Sequence, residues 1–152
     1  MFMGKKDKTI RYLDEIESNV RRLKDLRIEY QEAMDSNLES EKLNVMNALN
    51  EKNSQLFREI TKMMADMKEE AKKFKNNAAL KNEPEGRIMK GLNDAISTKM
   101  YKTLQKSQLI QVDIKSTVKA KIARQVSTAD PNLTKEEIEN MIDDPEAVQD
   151  VL

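Results

Sequence analysis

The 152-residue chain carries 27 basic and 27 acidic residues, so its net charge gives no general attraction to nucleic acid or to an anionic membrane. It contains neither cysteine nor histidine, which excludes disulfides, thiolate chemistry and every nucleophile that depends on a histidine base. Charged residues make up 36% of the chain while Gly and Pro number three each, a composition typical of long, solvated helices. We therefore expect a helical protein that is not an enzyme and needs no cofactor or metal.

The first predicted helix covers residues 9–36 and follows a short N-terminal extension, residues 1–8. Its apolar residues recur at intervals of three and four, which places them on one stripe of a helix that also includes one arginine. The stripe consists of Leu13, Ile16, Val20, Leu23, Arg27, Tyr30 and Met34.

The second predicted helix covers residues 39–80 and repeats this spacing with one asparagine in the stripe. We expect Arg27 and Asn53 to lie at the edge of the seam with their polar ends in solvent, and a buried polar layer that fixes the helix register is the alternative. The second stripe consists of Met46, Leu49, Asn53, Leu56, Ile60, Met63, Met67 and Phe74.

The third predicted helix covers residues 86–128. Its glycines, Gly86 and Gly91, imitate the start of a phosphate-binding loop, but Leu92 and Asn93 stand where such a loop needs Lys and Ser or Thr, so we reject a nucleotide site. The apolar side of this helix is marked by Ile88, Leu92, Ile96, Met100, Leu104, Ile110, Ile114, Val118 and Ile122, with Thr103 and Ser107 as polar members midway.

Three amphipathic helices with short connections can bury their stripes against one another. The sequence therefore predicts an all-α fold, an antiparallel up-down-up three-helix bundle over residues 9–129. The expected core includes Leu23, Ile60, Met63, Ile96 and Ile114.

Residues 130–152 form a separate acidic segment after the break at Asp130-Pro131-Asn132. Thr134 can cap a helix while Glu137 reaches back to it, and Leu133 can pack against Ile138. A short helix is expected over residues 134–143, and its apolar groups require a docking surface.

Residues 99–124 carry a basic stripe with a single acid, Asp113. A nucleic-acid site is the weaker interpretation because Tyr101 is the one aromatic residue in the stripe. We favour a basic face that complements acidic helices, including the acidic end of this chain. The stripe consists of Lys99, Lys102, Lys106, Lys115, Lys119, Lys121 and Arg124.

Two rows of residues run beside the core stripes at intervals of seven. Such rows can line a groove for a fourth helix, although a globular bundle also needs stripes wider than those of a coiled coil. The predicted partner-helix groove comprises Phe57, Met64 and Ala71 on the second helix with Leu104, Gln111 and Val118 on the third.

Several short motifs occur in a fixed order along the second half of the chain, and the series resembles the N-terminal three-helix (Habc) regulatory domain of the syntaxins, the Qa class of SNARE membrane-fusion proteins. Three departures are the short first connection, Ile114 where the family often has an aromatic residue, and the few residues before the first helix. The motif residues are Arg87, Ile88, Gln111, Asp113, Lys119, Lys121, Ile122, Ala123, Arg124, Gln125, Thr134, Glu136, Glu137, Ile138, Glu139, Met141 and Ile142.

The resemblance implies a four-helical-bundle type of fold, Habc or STAT-like, and a regulatory domain of a t-SNARE that acts in vesicle docking and membrane fusion. The implied partners are the chain's own downstream SNARE helix, an SM-family protein and other SNAREs, with no nucleic acid. Residues 130–152 would then begin a linker toward a SNARE motif and a C-terminal membrane anchor outside these 152 residues, on the cytoplasmic face of a membrane. The rival interpretation is a spectrin-type scaffold bundle unrelated to fusion, and a carboxylate enzyme is a poorer third.

Overall fold

The computed structural model describes residues 2–76 and 84–152, and all structural statements concern those residues. They form five helices and no strand, which confirms the predicted all-α class. The helices are α1 (Phe2–Glu32), α2 (Ser36–Asn76), α3 (Pro84–Ala129), α4 (Lys135–Met141) and α5 (Pro145–Val151).

Polar contacts between the long helices show the up-down-up arrangement. The start of α1 meets the end of α2 through Lys5 and Glu70, whose Nζ and Oε1 atoms are 3.5 Å apart. Asp14 of α1 binds Lys99 of α3 at 2.6 Å, and both residues belong to the first half of their helices. Thus α2 runs antiparallel to α1, and α3 runs parallel to α1.

The core lies along the axis of the bundle. Of the expected core residues, Leu23, Ile60, Ile96 and Ile114 are buried, and Met63 is half-buried against them. Each fully buried Leu or Ile side chain contributes about 1.5–3 kcal/mol relative to an exposed one. The buried apolar cluster comprises Phe2, Leu13, Ile16, Val20, Leu23, Leu26, Tyr30, Met46, Leu56, Ile60, Met67, Ile96, Ile110 and Ile114.

The first helix differs from its prediction at both ends. It begins at Phe2 instead of residue 9, because Phe2 is itself buried in the core and holds the first turns of the helix on the bundle. It ends at Glu32. Met34, predicted in the stripe, is therefore almost fully exposed, whereas Leu26 and Ala33 are buried instead.

The helix starts follow local capping chemistry. α2 begins at Ser36 instead of 39, because the Asp35 carboxylate accepts from the backbone N–H of Asn37 at 2.9 Å. α3 begins at Pro84, whose fixed φ suits a first helical turn. The predicted end of the second helix near residue 80 lies outside the described residues.

Two stripe positions are corrected by their burial. Ile88 is 58% exposed, so the apolar side of α3 starts later than predicted. Asn53 is only 1% exposed, and its Oδ1 accepts from Asn19 Nδ2 at 2.8 Å. The expected edge position of Asn53 is wrong and the buried polar layer is present, whereas Arg27 is half-buried and reaches Thr117 Oγ1 at 3.2 Å.

The C-terminal segment folds onto the end of α3. Thr134 caps α4 by accepting from the backbone N–H of Glu137 at 3.2 Å, as predicted. The helix itself covers Lys135–Met141, within the expected range. The sequence analysis missed α5, where Asp144 is the N-cap and Pro145 occupies the first turn.

Candidate functional site

The surface between α2 and α3 is the least closed seam of the bundle. α1 contacts each of the other long helices more extensively than they contact each other. A shallow channel is therefore left between α2 and α3 on the side away from α1. We call this channel the α2–α3 groove, and both predicted rows of flanking residues lie along it.

The α2 wall of the groove is mainly apolar. Phe57, Met64 and Ala71 are all half-buried, and Phe57 and Met64 pack against the central core. Half-burial means that one side of each side chain supports the bundle while the other side faces the groove. These residues are thus available to a further helix without leaving the core.

The α3 wall is less uniform than predicted. Leu104 and Val118 are half-buried, and Val118 packs against the core. Gln111 is exposed and donates weakly to Ser107 Oγ at 3.5 Å. The structure therefore places an exposed polar side chain between the two apolar positions of this row.

A polar notch of about 570 Å³ lies next to Gln111 in the middle of the groove. Within the described part of the chain, Asn50 Oδ1 is buried and accepts no hydrogen bond. A buried acceptor without a partner is costly, so a donor from a bound helix would stabilise this position. The notch is lined by Asn47, Asn50, Glu51, Ser54, Gln111, Ile114 and Lys115.

A pocket of about 650 Å³ lies at the end of the groove where α2 ends and α3 begins. Its floor is apolar and includes Met64, Ala71 and Phe74. Gly86 allows the close approach of the two helices here, since a Cβ on it would lie 3.0 Å from Phe74 Cβ. We call this pocket the end pocket, and its rim carries Lys68, Lys72, Arg87 and Lys90.

The motif Lys121-x-x-x-Gln125 closes the other end of the bundle. Lys121 is buried, and its ammonium donates to the backbone oxygens of Tyr30 and Ala33 and lies 3.2 Å from Glu39 Oε1. Gln125 donates to the same carboxylate at 3.0 and 3.2 Å. These two residues tie α3 to the turn between α1 and α2.

The aromatic ring of Tyr30 completes this contact. The Lys121 ammonium lies 4.6 Å from the ring centroid, within the range of a cation–π interaction. Burial, and next the negative charge of Glu39, raise the pKa of the Tyr30 hydroxyl above its ordinary value. The site is structural in character, because it joins three helices and leaves no open volume for a ligand.

The remaining motif residues divide between the C-terminal segment and the surface. Ile122, Ile138 and Met141 belong to a second apolar cluster, built around Val126 and Val148. This cluster joins α4 and α5 to the end of α3. The exposed motif residues are Arg87, Ile88, Asp113, Arg124, Glu136, Glu137 and Glu139.

The basic stripe of α3 is largely occupied by acidic neighbours. Lys99 pairs with Asp14, Lys106 lies 3.5 Å from Glu17, and Lys121 pairs with Glu39. The acidic C-terminal segment contributes as well, since Lys119 Nζ lies 3.3 Å from Asp143 Oδ1. These contacts agree with the favoured interpretation of the stripe as a complement to acidic helices.

One family model, described as Syntaxin, matches residues 3–150 of the chain. The chain belongs to the syntaxin family. This assignment fits the bundle, the buried Lys121 contact and the capped α4. No individual curated protein and no solved structure matches the chain.

Syntaxins are a membrane-associated, non-enzymatic family of SNARE proteins, so the chain has a SNARE-related role in vesicle fusion. A spectrin-type scaffold unrelated to fusion is therefore no longer a serious rival. In the part of the chain that the structure describes, no helix is long and apolar enough to cross a membrane.

The sequence analysis did not single out the basic rim of the end pocket. Lys68 and Lys72 are one turn apart on α2, and Arg87 and Lys90 are nearly one turn apart on α3. The spacing within each pair was a readable signal. Their convergence depends on how α2 and α3 pack, which the two separate pairs do not reveal.

Proposed function

We propose that this chain is the regulatory Habc domain of a syntaxin and that its α2–α3 groove binds the SNARE helix located downstream in the same protein. While bound there, that helix is withheld from partner SNAREs, and an SM-family protein acts on the surface that the bundle and helix share. Control then results from competition between alternative helix–helix contacts. The domain performs no catalysis.

The observation that carries this proposal is the set of half-buried apolar side chains that face an open seam. Phe57 and Met64 on α2 and Leu104 and Val118 on α3 are each covered on one side by the bundle. A fourth amphipathic helix would cover their other side, which is the usual way in which helices fill a hydrophobic groove.

The proposal is tested by supplying the downstream SNARE segment of the full-length protein as a peptide. The double variant Phe57→Ala plus Met64→Ala removes apolar contact area from the α2 wall, which loses about 25 cal/mol per Å². Binding is expected to weaken tenfold or more, on the order of 1.4 kcal/mol. Titration calorimetry measures the affinity, and circular dichroism checks that the helicity is retained.

A matched control is available on the outer face of α3. Leu109 and Val112 are 66% and 65% exposed, so changing both to Ala removes apolar surface without touching the groove. This control should bind the segment as the unchanged protein does. Equal affinity of the groove variant and the control would show that the SNARE helix docks elsewhere.

A further inference from the structure

The rim of the end pocket concentrates positive charge around an apolar floor. Lys68 and Lys72 approach the pocket from α2, and Arg87 and Lys90 approach it from α3. Asp94 is the one acidic residue among those that line it. The pocket therefore combines a surface for an apolar side chain with a cationic border on both walls.

None of the four rim cations has an ion-pair partner within the described part of the chain, although Lys5, Lys99 and Lys106 on the same bundle do. Like charges brought together around one pocket repel one another, and the repulsion is strongest where apolar groups exclude water. A bound anionic group would remove this cost. The missing partner is thus a negatively charged one.

We propose that the end pocket binds an acidic segment of an amphipathic helix, with one apolar side chain on the floor and carboxylates beside it on the rim. The inference rests on the proposed function, since it takes the SNARE helix as the occupant of the α2–α3 groove. It adds the charge of the segment that reaches this end of the groove.

The shape of the pocket favours a helix over a single anionic headgroup. The floor residues Met64 and Ala71 continue the apolar row that begins at Phe57, so floor and groove form one track for one occupant. The cations stand on both walls of this track. A helix in the groove can therefore present acidic residues to both walls while its apolar face stays down.

Two labelled helical probe peptides test the inference against the 152-residue protein. One probe has leucines at heptad a and d positions with glutamates beside them, and the other has every glutamate replaced by lysine. The acidic probe should bind, weaken as salt is added, and bind roughly tenfold or more tighter than the basic probe. Failure of the acidic probe to bind, or equal binding of both probes, overturns the inference.

Charge reversal of the rim locates the site. In Lys68→Glu plus Lys90→Glu the affinity for the acidic probe should fall by roughly tenfold or more. The control Lys52→Glu plus Lys102→Glu changes two exposed lysines on the same helices and gives the same net charge. Equal losses in the two variants would mean that only net charge matters, which also overturns the inference.

Phosphatidylserine vesicles distinguish a lipid headgroup from a helix. Loss of vesicle binding in the rim variant, with unchanged affinity for the acidic probe, would assign the rim to lipid and contradict the proposal. The downstream SNARE segment separates this inference from the proposed function. If that segment responds to Phe57→Ala plus Met64→Ala and not to the rim reversal, the groove function stands and the acidic-segment inference fails.

Discussion

Lys121 reaches from α3 into the turn between α1 and α2, where it meets the exposed ends of peptide groups that a helix leaves without partners. The last carbonyl groups of a helix have no intrahelical donors, and a cation near them is favourable. Lys121 donates to two such oxygens, those of Tyr30 and Ala33. One buried ammonium thus fixes the end of α1 and the start of α2 relative to α3.

Replacing Lys121 by Met keeps the length and the apolar stem of the side chain but removes the ammonium. The backbone oxygen of Ala33 and the Glu39 carboxylate then lose a buried donor, so the free energy of unfolding should fall by about 1–3 kcal/mol. Lys119→Met removes a half-exposed pair and should cost about 1 kcal/mol or less. Urea unfolding measures both, and equal stability of the two variants would contradict this role.

The raised pKa of Tyr30 predicts a loss of stability at alkaline pH. Because the folded state holds the proton more tightly than the unfolded state, the free energy of unfolding is unaffected below about pH 10 and falls as the pH rises further. Tyr30→Phe should make this alkaline decline shallower. Unfolding curves of both proteins between about pH 8 and pH 11 measure the slope, and identical slopes would exclude a contribution from Tyr30.

At the residue scale the sequence predicted most of the core and failed at the polar positions. Leu23 and Ile60 were identified because apolar spacing directly marks the buried face of a helix. Asn53 and Lys121 were misplaced or unexplained because their burial depends on partners on other helices, Asn19 and Tyr30. Such tertiary hydrogen bonds leave no periodic trace in a single sequence.

The long helices were predicted in number, order and direction, since each stripe is long and strongly periodic. Their ends were less accurate. Residues 2–8 were taken for an extension because the apolar stripe was traced only from Leu13, yet Phe2 and Thr9 are buried and make this part helical. α5 was missed because its Asp-Pro start was interpreted only as a break.

Helix facing is tested by placing a charge in the core of each of two helices. Ile60 on α2 and Ile114 on α3 are 0% and 8% exposed. Ile60→Asp or Ile114→Asp would bury a carboxylate without a partner and should largely unfold the domain, since native stability is about 5–15 kcal/mol.

Leu109→Asp on the exposed face of α3 is the control and should keep the helicity of the unchanged protein. Circular dichroism with thermal melting gives the comparison. Retention of full helicity and melting temperature in both core variants would show that the faces of α2 and α3 are assigned wrongly.

At the scale of the whole molecule, the chain has two apolar clusters with different tasks. The large cluster joins α1, α2 and α3, and the small one joins α4 and α5 to the end of α3. α4 and α5 make their contacts with α3 and with each other. The α2–α3 groove therefore remains open along its length between the end pocket and the notch.

The central claim is that a SNARE helix docks between α2 and α3. The most direct test is an NMR titration of the isotope-labelled domain with the downstream SNARE segment, following the backbone amide signals of all three long helices. The account predicts that the largest shifts fall on groove residues such as Phe57, Met64 and Leu104 and that the exposed face of α1, including Ser18 and Arg21, stays unchanged. Shifts centred on the exposed face of α1, with the groove signals unmoved, would contradict it.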